Sequence, residues 1–116
     1  NFAKMVELLK SFSNNGDCLV ILERPLVNPS RFLATSSALR CHEATLIAIE
    51  YLSLPYMFID SKEWQKVLLP AGVSGAEDLK RASLMIGNRK FPMFSEVKHP
   101  DRDSLLIAEY CRINRF

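Results

Sequence analysis

The stretch Cys18-Leu19-Val20-Ile21-Leu22-Glu23 is a short, nearly continuous apolar run that ends on an acid. A run of this kind is typical of a strand that is buried on both faces, as strands in parallel sheets are. A second such run, Pro55-Tyr56-Met57-Phe58-Ile59-Asp60, follows a long helical pattern over residues 35–52. Strands that alternate with helices in this order indicate an α/β fold. We therefore predict that the two strands lie parallel and adjacent, with the long helix connecting them.

Helical spacing dominates the remainder of the chain. Apolar residues recur at helical intervals over residues 2–12, and the turn-forming stretch 13–17 ends that pattern. Further helices are predicted over residues 61–69, 77–87 and 101–112. Two strands bury a sheet face poorly, because three or more are usually needed. We expect that about three strands, on the order of 40 residues, precede Asn1 in the intact protein.

Composition indicates one small globular domain that spans residues 1–116. Of the 116 residues, 48% are hydrophobic, and 15 Lys and Arg stand against 13 Asp and Glu. These values exclude a disordered or collagen-like chain, and the longest apolar runs are too short to cross a bilayer. The three cysteines form no CxxC pair, and the first residues show no signal peptide. A reduced, cytoplasmic setting is therefore expected rather than secretion.

Glu23 is the first candidate functional residue, because it lies at the carboxyl end of a predicted parallel strand. Ligands of open α/β sheets bind outside the carboxyl ends of the strands. An acid at that position, followed directly by Arg24, is suitably placed to meet a ligand. The alternative is an ordinary strand-end charge that is solvated or paired with a nearby arginine.

A second candidate cluster precedes the last predicted helix. His99, Asp101 and Asp103 fall within five residues of one another. Carboxylate oxygens are the ligands that Mg²⁺ prefers, and a histidine nitrogen is also acceptable to Mn²⁺. The cluster therefore predicts a site for one of these metals. The alternative is that Asp103 acts only as an acid at the helix N-terminus, where it contributes about 0.5–2 kcal/mol.

Four segments, in order along the chain, resemble the motifs of the RuvC-like Holliday junction resolvases, in particular the phage branch of that family. They are Val20-Ile21-Leu22-Glu23-Arg24-Pro25, Asp60-Ser61-Lys62-Glu63-Trp64-Gln65-Lys66, Lys80 with Arg89-Lys90-Phe91-Pro92, and Asp103-Ser104-Leu105-Leu106-Ile107-Ala108-Glu109-Tyr110. The last of these resembles the family's closing motif, usually Asp-Ala-Leu-Leu-Ile-Ala. The resemblance covers about residues 17–112, which is nearly the whole chain.

The resemblance implies an RNase H-like (RuvC-like) α/β fold, with parallel strands flanked by helices, and a site in which four acids bind two Mg²⁺ or Mn²⁺ ions. Glu23 and Asp103 match two of those acids. The family's third ligand, an Asp or a His, lies three or four residues before the final Asp. That window holds His99 and Pro100, and Asp101 comes directly after it, so His99 and Asp101 are both candidates. The fourth ligand is an Asp on a first strand that this sequence does not contain, in agreement with the expectation of missing strands.

The activity implied by the resemblance is a metal-dependent endonuclease that resolves Holliday junctions by cleaving phosphodiester bonds in branched DNA, in a bacterial or phage-infected cell. Two symmetric DNA strands need two active sites, which a homodimer with twofold symmetry supplies. The helix over residues 35–52 is the candidate interface, because its apolar stripe is broad and its alanines permit close approach. Two alternatives are open: a non-catalytic nucleic-acid-binding or scaffold module with a degenerate RNase H-like fold, and a related nuclease that acts on RNA or DNA–RNA hybrids.

Basic side chains near these motifs are candidates for contacts with DNA phosphates. They are Arg24, Arg31, Lys66 and Lys80. For each of them a solvated surface position is the alternative. Phe32 follows the Glu23 strand on a predicted loop, where resolvases of this kind place residues that probe the junction. It is a candidate for stacking on an unpaired base or, alternatively, for packing in the core.

Overall fold

The structure is a computed structural model that describes residues 1–13, 18–25, 27–99 and 101–114. The chain falls into two compact units, Asn1–Ile59 and Asp60–Phe116. The single domain predicted from the sequence stays a prediction. Residues 14–17 of the predicted turn, and Pro100 of the predicted ligand window, lie outside the described residues.

The first unit consists of two helices and two strands. In chain order they are α1 (Phe2–Ser13), β1 (Val20–Glu23), α2 (Phe32–Tyr51) and β2 (Tyr56–Ile59). The strands pair in parallel, with Val20 opposite Tyr56 and Glu23 opposite Ile59. The predicted pair of parallel, adjacent strands, joined by the long helix, is confirmed. The buried apolar residues of this unit are Ala48, Ile49, Leu54 and Ile59.

The entry to α2 explains why this helix begins at Phe32, before its predicted start at residue 35. A 3₁₀ turn over Pro29–Arg31 precedes it, and the Asn28 side chain accepts a hydrogen bond from the Ser30 amide at 3.1 Å. Thr35 Oγ1 donates to the Asn28 carbonyl at 3.1 Å. The loop is thereby tied to the first turn of the helix, and the proline supplies a φ angle that suits a helical start.

The predicted RNase H-like fold is wrong for this chain. The chain is mostly helical, at 67%, with only two short parallel strands among its described residues, so it does not form a sheet flanked by helices. The physical reason lies after Ile59, where three helices follow one another and the described residues between them include no strand. The last of these helices packs against the other two. Two strands of four residues each are fewer than a sheet usually needs to bury a face.

The second unit is helical. Its elements are α3 (Ser61–Leu68), α4 (Ala76–Lys90) and α5 (Asp103–Ile113), with a 3₁₀ turn at Pro92–Phe94. The Asp60 amide donates to Glu63 Oε1 at 3.3 Å, which forms part of a capping box at the start of α3. Helix α5 packs against both α3 and α4. Trp64 on α3 is completely buried.

Helix α2 exposes several large apolar side chains. The exposed set is Phe32, Leu33, Leu39, Ile47 and Tyr51. In the part of the chain that the structure describes, no helix is both long enough and apolar enough to cross a membrane. Apolar side chains gathered on one exposed helix are typical of a surface that packs against another molecule.

Candidate functional site

Asp101 and Asp103 of the predicted cluster form ion pairs with a lysine of α4. The Lys80 Nζ atom lies 2.9 Å from Asp103 Oδ2 and 3.5 Å from Asp101 Oδ2. Asp103 is the first residue of α5 and Asp101 lies just before it, so the contact joins the start of α5 to α4. We refer to Lys80, Asp101 and Asp103 as the acid–lysine cluster.

Backbone hydrogen bonds hold the two carboxylates of the cluster beside each other. The Asp103 amide donates to Asp101 Oδ1 at 2.8 Å, and the Asp101 amide donates to His99 Nδ1 at 3.2 Å. Asp101 therefore supplies the acceptor for the first amide of α5, a group that has no partner within its own helix. The alternative in which Asp103 is only a helix-terminal acid accounts for its position but not for its contacts with Lys80.

One oxygen of Asp103 lacks a hydrogen-bond donor. Asp103 Oδ1 is buried, and it accepts no hydrogen bond from any residue that the structure describes. The side chain as a whole is 22% exposed. Leaving a buried polar group unpaired is unfavourable by about 1–3 kcal/mol, and by more when the group is charged. A cation bound at Oδ1 would remove that penalty.

The two acids also raise the pKa of their lysine. Hydrogen bonding to Asp103 raises the pKa of Lys80 above its usual value, partial burial opposes this rise, and the negative charges of Asp103 and Asp101 add to it. Lys80 is therefore cationic at neutral pH and neutralises part of the charge of both carboxylates. Its side chain is 63% exposed, so solvent screens the ion pair and limits its contribution to stability.

The acid–lysine cluster contains two carboxylates that could act as ligands of a divalent metal. Among residues 1–13, 18–25, 27–99 and 101–114, no three His, Cys, Asp or Glu side chains are grouped closely enough to hold a metal ion. The two carboxylates nevertheless fit Mg²⁺ or Mn²⁺, because such ions are often held by one or two protein carboxylates and complete their coordination with water and substrate phosphates. His99 directs Nδ1 to the Asp101 amide, so only its Nε2 is available as a ligand. Asp101 and Asp103 are thus the residues of this cluster that could hold such an ion.

Glu23 lies where the sequence predicts, at the carboxyl end of β1, and is half-buried. The next residue, Arg24, donates its amide to the Ile59 carbonyl at 2.9 Å, which continues the pairing with β2. The Arg24 guanidinium carbon lies 5.7 Å from the centroid of the Phe58 ring, within the range of a cation–π contact. Glu23 belongs to the first unit and Asp103 to the second. Their convergence on one metal site stays a prediction.

The remaining candidates for DNA contact are exposed. Arg31 ends the 3₁₀ turn before α2, and Phe32 begins that helix with 72% of its surface exposed. Phe32 does not pack in the core formed by the described residues, and its stacking on a base stays a prediction. Lys66 is exposed on α3 and, together with Lys62, lines a cavity of roughly 410 Å³.

Sequence reasoning missed two features of the site. It identifies Lys80 as a phosphate contact but not as the ion-pair partner of the acids, because no spacing rule relates residues that far apart in the chain. It also does not single out Arg102, which is buried although it lies between two acids. Gly87, which leaves space for the Arg102 side chain, falls at the end of the helix predicted over residues 77–87, where glycine is common, so it gave no signal of a close approach.

Comparison with protein-family models and with curated proteins finds no match for this chain. The resemblance to RuvC-like resolvases therefore rests on the four quoted segments. The function has to be argued from the chemistry of the acid–lysine cluster and from the residues that surround it.

The K80M substitution is expected to lower the free energy of unfolding by less than about 1 kcal/mol at neutral pH, because the ion pair is largely exposed. Since folding raises the pKa of Lys80, its stabilising effect is present below the unfolded-state pKa. That effect is lost as the pH rises through the higher folded-state pKa. The stability difference between wild type and K80M should therefore shrink at strongly alkaline pH, as measured by urea unfolding.

The matched control is K62M, which removes an exposed lysine from α3 without touching the acid–lysine cluster. We expect its stability difference from wild type to stay near zero across the same pH range. A K80M deficit that keeps its size into strongly alkaline solution would contradict the assigned ion pair.

Proposed function

We propose that this chain forms part of a metal-dependent endonuclease that resolves Holliday junctions by cleaving phosphodiester bonds in branched DNA. The observation that carries the proposal is the Asp103 carboxylate, whose buried Oδ1 accepts no hydrogen bond in the described ranges while Asp101 shares the same lysine beside it. Carboxylates gathered at one place repel each other unless cations neutralise them. The position of Glu23 at a strand end and the resemblance to the resolvases also support it. The proposed setting is the cytoplasm of a bacterial or phage-infected cell.

The residues of the acid–lysine cluster have distinct proposed roles. When bound, Mg²⁺ or Mn²⁺ neutralises charge on the reacting phosphate and lowers the pKa of a water molecule. Asp101 and Asp103 hold the cation, and Glu23 is proposed as a further acid of the same site. Lys80 is cationic and largely exposed, so it is suited to bind a phosphate oxygen of the substrate.

Proposed contacts with DNA lie outside this cluster. Arg24, Arg31 and Lys66 are proposed to bind phosphates, and the exposure of all three supports this role because a DNA contact has to be accessible. The exposed ring of Phe32 is proposed to stack on an unpaired base at the branch point.

Helix α2 is the proposed interface of a homodimer. Its exposed apolar side chains supply a surface for a second copy, and two copies would place one site on each of two symmetric DNA strands. Light scattering that gives a monomer at micromolar concentration would contradict this part of the proposal.

A non-catalytic nucleic-acid-binding module is the second candidate function, and one observation favours it. Lys80 already contacts both acids and neutralises part of their charge, so the cluster needs no metal to limit the repulsion between them. In that case the contact between α4 and α5 has a structural role alone. The two candidates differ in whether a divalent cation binds in a manner that depends on Asp103.

Calorimetric titration with Mn²⁺ distinguishes the two candidates. Wild type is expected to bind the ion, and D103N is expected to bind at least about tenfold more weakly, since even residues behind metal ligands contribute about 10–100-fold. The matched control is D78N, which alters an exposed acid of α4 that pairs with Arg81 at 3.7 Å and should leave the affinity unchanged. Equal affinities of wild type and D103N, or no binding by wild type, would contradict the metal site and make the binding module the better explanation.

A further inference from the structure

Arg102 lies between the two acids in the sequence, yet only 3% of its surface is exposed. Its guanidinium donates to Asn88 Oδ1 at 3.1 Å and to the backbone carbonyls of Val97 at 3.0 Å, Asp101 at 3.4 Å and His99. These acceptors are all amide or carbonyl oxygens. A buried charge is tolerated only when hydrogen bonds satisfy it, so Arg102 and the segment that carries these carbonyls hold each other in place.

Gly87 provides the space that the Arg102 side chain occupies on α4. A Cβ atom added at Gly87 would lie 2.5 Å from Arg102 Cβ and 2.9 Å from Arg102 Cγ, closer than real Cβ atoms approach one another. Glycine is a poor helix former, and Gly87 is buried well inside its helix. Its presence there is explained by the close approach of the arginine. On helix α4, Gly87 thus leaves space for the aliphatic part of Arg102, and Asn88 accepts a hydrogen bond from its guanidinium.

We propose that Arg102, seated against Gly87, is a positioning residue for the carboxylates of Asp101 and Asp103. This inference rests on the proposed function of the acid–lysine cluster as a metal site. The guanidinium binds the Asp101 carbonyl directly, and the Arg102 carbonyl accepts the Leu106 amide at 3.1 Å in the first turn of α5. The guanidinium therefore holds the backbone carbonyls of Val97, His99 and Asp101, which precede the first turn of α5, while the carboxylates of Asp101 and Asp103 contact Lys80.

Arginine is well suited to this position and lysine is not. Its planar guanidinium carries five N–H donors in fixed directions, which lets one side chain bind acceptors on α4 and on the following loop at the same time. A lysine concentrates three donors on one nitrogen at the end of a flexible stem. It would bind fewer of these acceptors and would leave the others buried and unpaired.

The test compares R102M with R112M. Methionine keeps an apolar stem against Gly87 and removes only the guanidinium. Arg112 lies near the end of α5, is 72% exposed, and pairs with Glu109 at 2.6 Å, so R112M removes the same charge away from the acids. Mn²⁺ affinity is measured by calorimetry, and amide hydrogen exchange is measured over residues 97–103, at a temperature where circular dichroism shows each variant to be folded.

We expect R102M to bind Mn²⁺ about 10–100-fold more weakly than wild type, the usual effect of losing a residue that orients metal ligands. Amide exchange over residues 97–103 should be faster in R102M, while both quantities stay unchanged in R112M. If R102M does not fold, N88A removes a single acceptor of the guanidinium and is expected to change both quantities in the same direction by a smaller factor.

The outcomes separate this inference from the proposed function. If wild type binds Mn²⁺ and D103N does not, but R102M (or N88A in its place) binds as R112M does, the positioning role is wrong and the metal site stands. If wild type does not bind Mn²⁺, the proposed function fails. Hydrogen exchange alone then tests whether Arg102 holds this segment in place. Faster exchange over residues 97–103 in R102M would then support the role of Arg102 in holding this segment, and unchanged exchange would overturn it.

Discussion

D103N is expected to cleave a four-way DNA junction at least about 1,000-fold more slowly than wild type in Mg²⁺ or Mn²⁺, a loss of about 4 kcal/mol of transition-state stabilisation. Asparagine has nearly the same shape as aspartate but carries no charge, so it holds a divalent cation poorly and neutralises none of its charge. Junction binding should persist or tighten, because the substitution removes a negative charge that repels phosphates. The same result is expected for E23Q, which tests whether Glu23 belongs to the same site.

The intact protein is used for this comparison, with gel-resolved cleavage and binding measured on one junction. D78N is again the matched control, since it changes an exposed carboxylate on α4 and should cleave at the wild-type rate. Wild-type rates in both D103N and E23Q would contradict metal-dependent cleavage through these acids. A wild-type protein that binds the junction but cuts it with neither metal would favour the non-catalytic module.

W64A is expected to lower the free energy of unfolding of the second unit by about 3–5 kcal/mol. Trp64 is completely buried on α3, and α3 packs against α5. Removing the indole therefore leaves a large cavity in a small core. Because domains are stable by only about 5–15 kcal/mol, the substitution should remove a large part of the total.

Urea unfolding followed by far-UV circular dichroism measures this effect. Tryptophan fluorescence does not serve, because Trp64 is the single tryptophan of the chain. The matched control is V67A on the same helix, where the side chain is 55% exposed and the expected change is within about 0.5 kcal/mol. A W64A loss of less than about 1 kcal/mol would contradict the assignment of Trp64 as the main core residue of this unit.

The local elements of the fold could be predicted from the sequence, while the architecture could not. The apolar runs that contain β1 and β2 are short and continuous, and the helix between them keeps helical spacing over its whole length, so their parallel pairing followed from general rules. From Ser61 onward the same spacing identifies helices correctly. Periodicity does not, however, state what an apolar stripe packs against. The resemblance predicted that they pack on a sheet, whereas α5 packs against α3 and α4.

For the candidate site, too, local features could be predicted from the sequence, while contacts between helices could not. Asp101 and Asp103 are neighbours in sequence, and the prediction that they lie together needed no knowledge of the fold. Their contact with Lys80 arises only when α4 packs against α5, which no local pattern encodes. Arg102 is harder still, because an arginine between two acids is normally a solvated surface residue, and its burial depends on the space that Gly87 leaves on another helix.

The position of a bound Mn²⁺ ion tests the central claim most directly. Crystals grown with Mn²⁺ and measured for anomalous scattering locate the ion without reference to activity. We predict an anomalous peak about 2 Å from Asp103 Oδ1, with an Asp101 carboxylate oxygen beside it. A map at saturating Mn²⁺ with no peak at the acid–lysine cluster, and with Lys80 Nζ still in contact with both acids, would contradict the metal site and with it the proposed nuclease function.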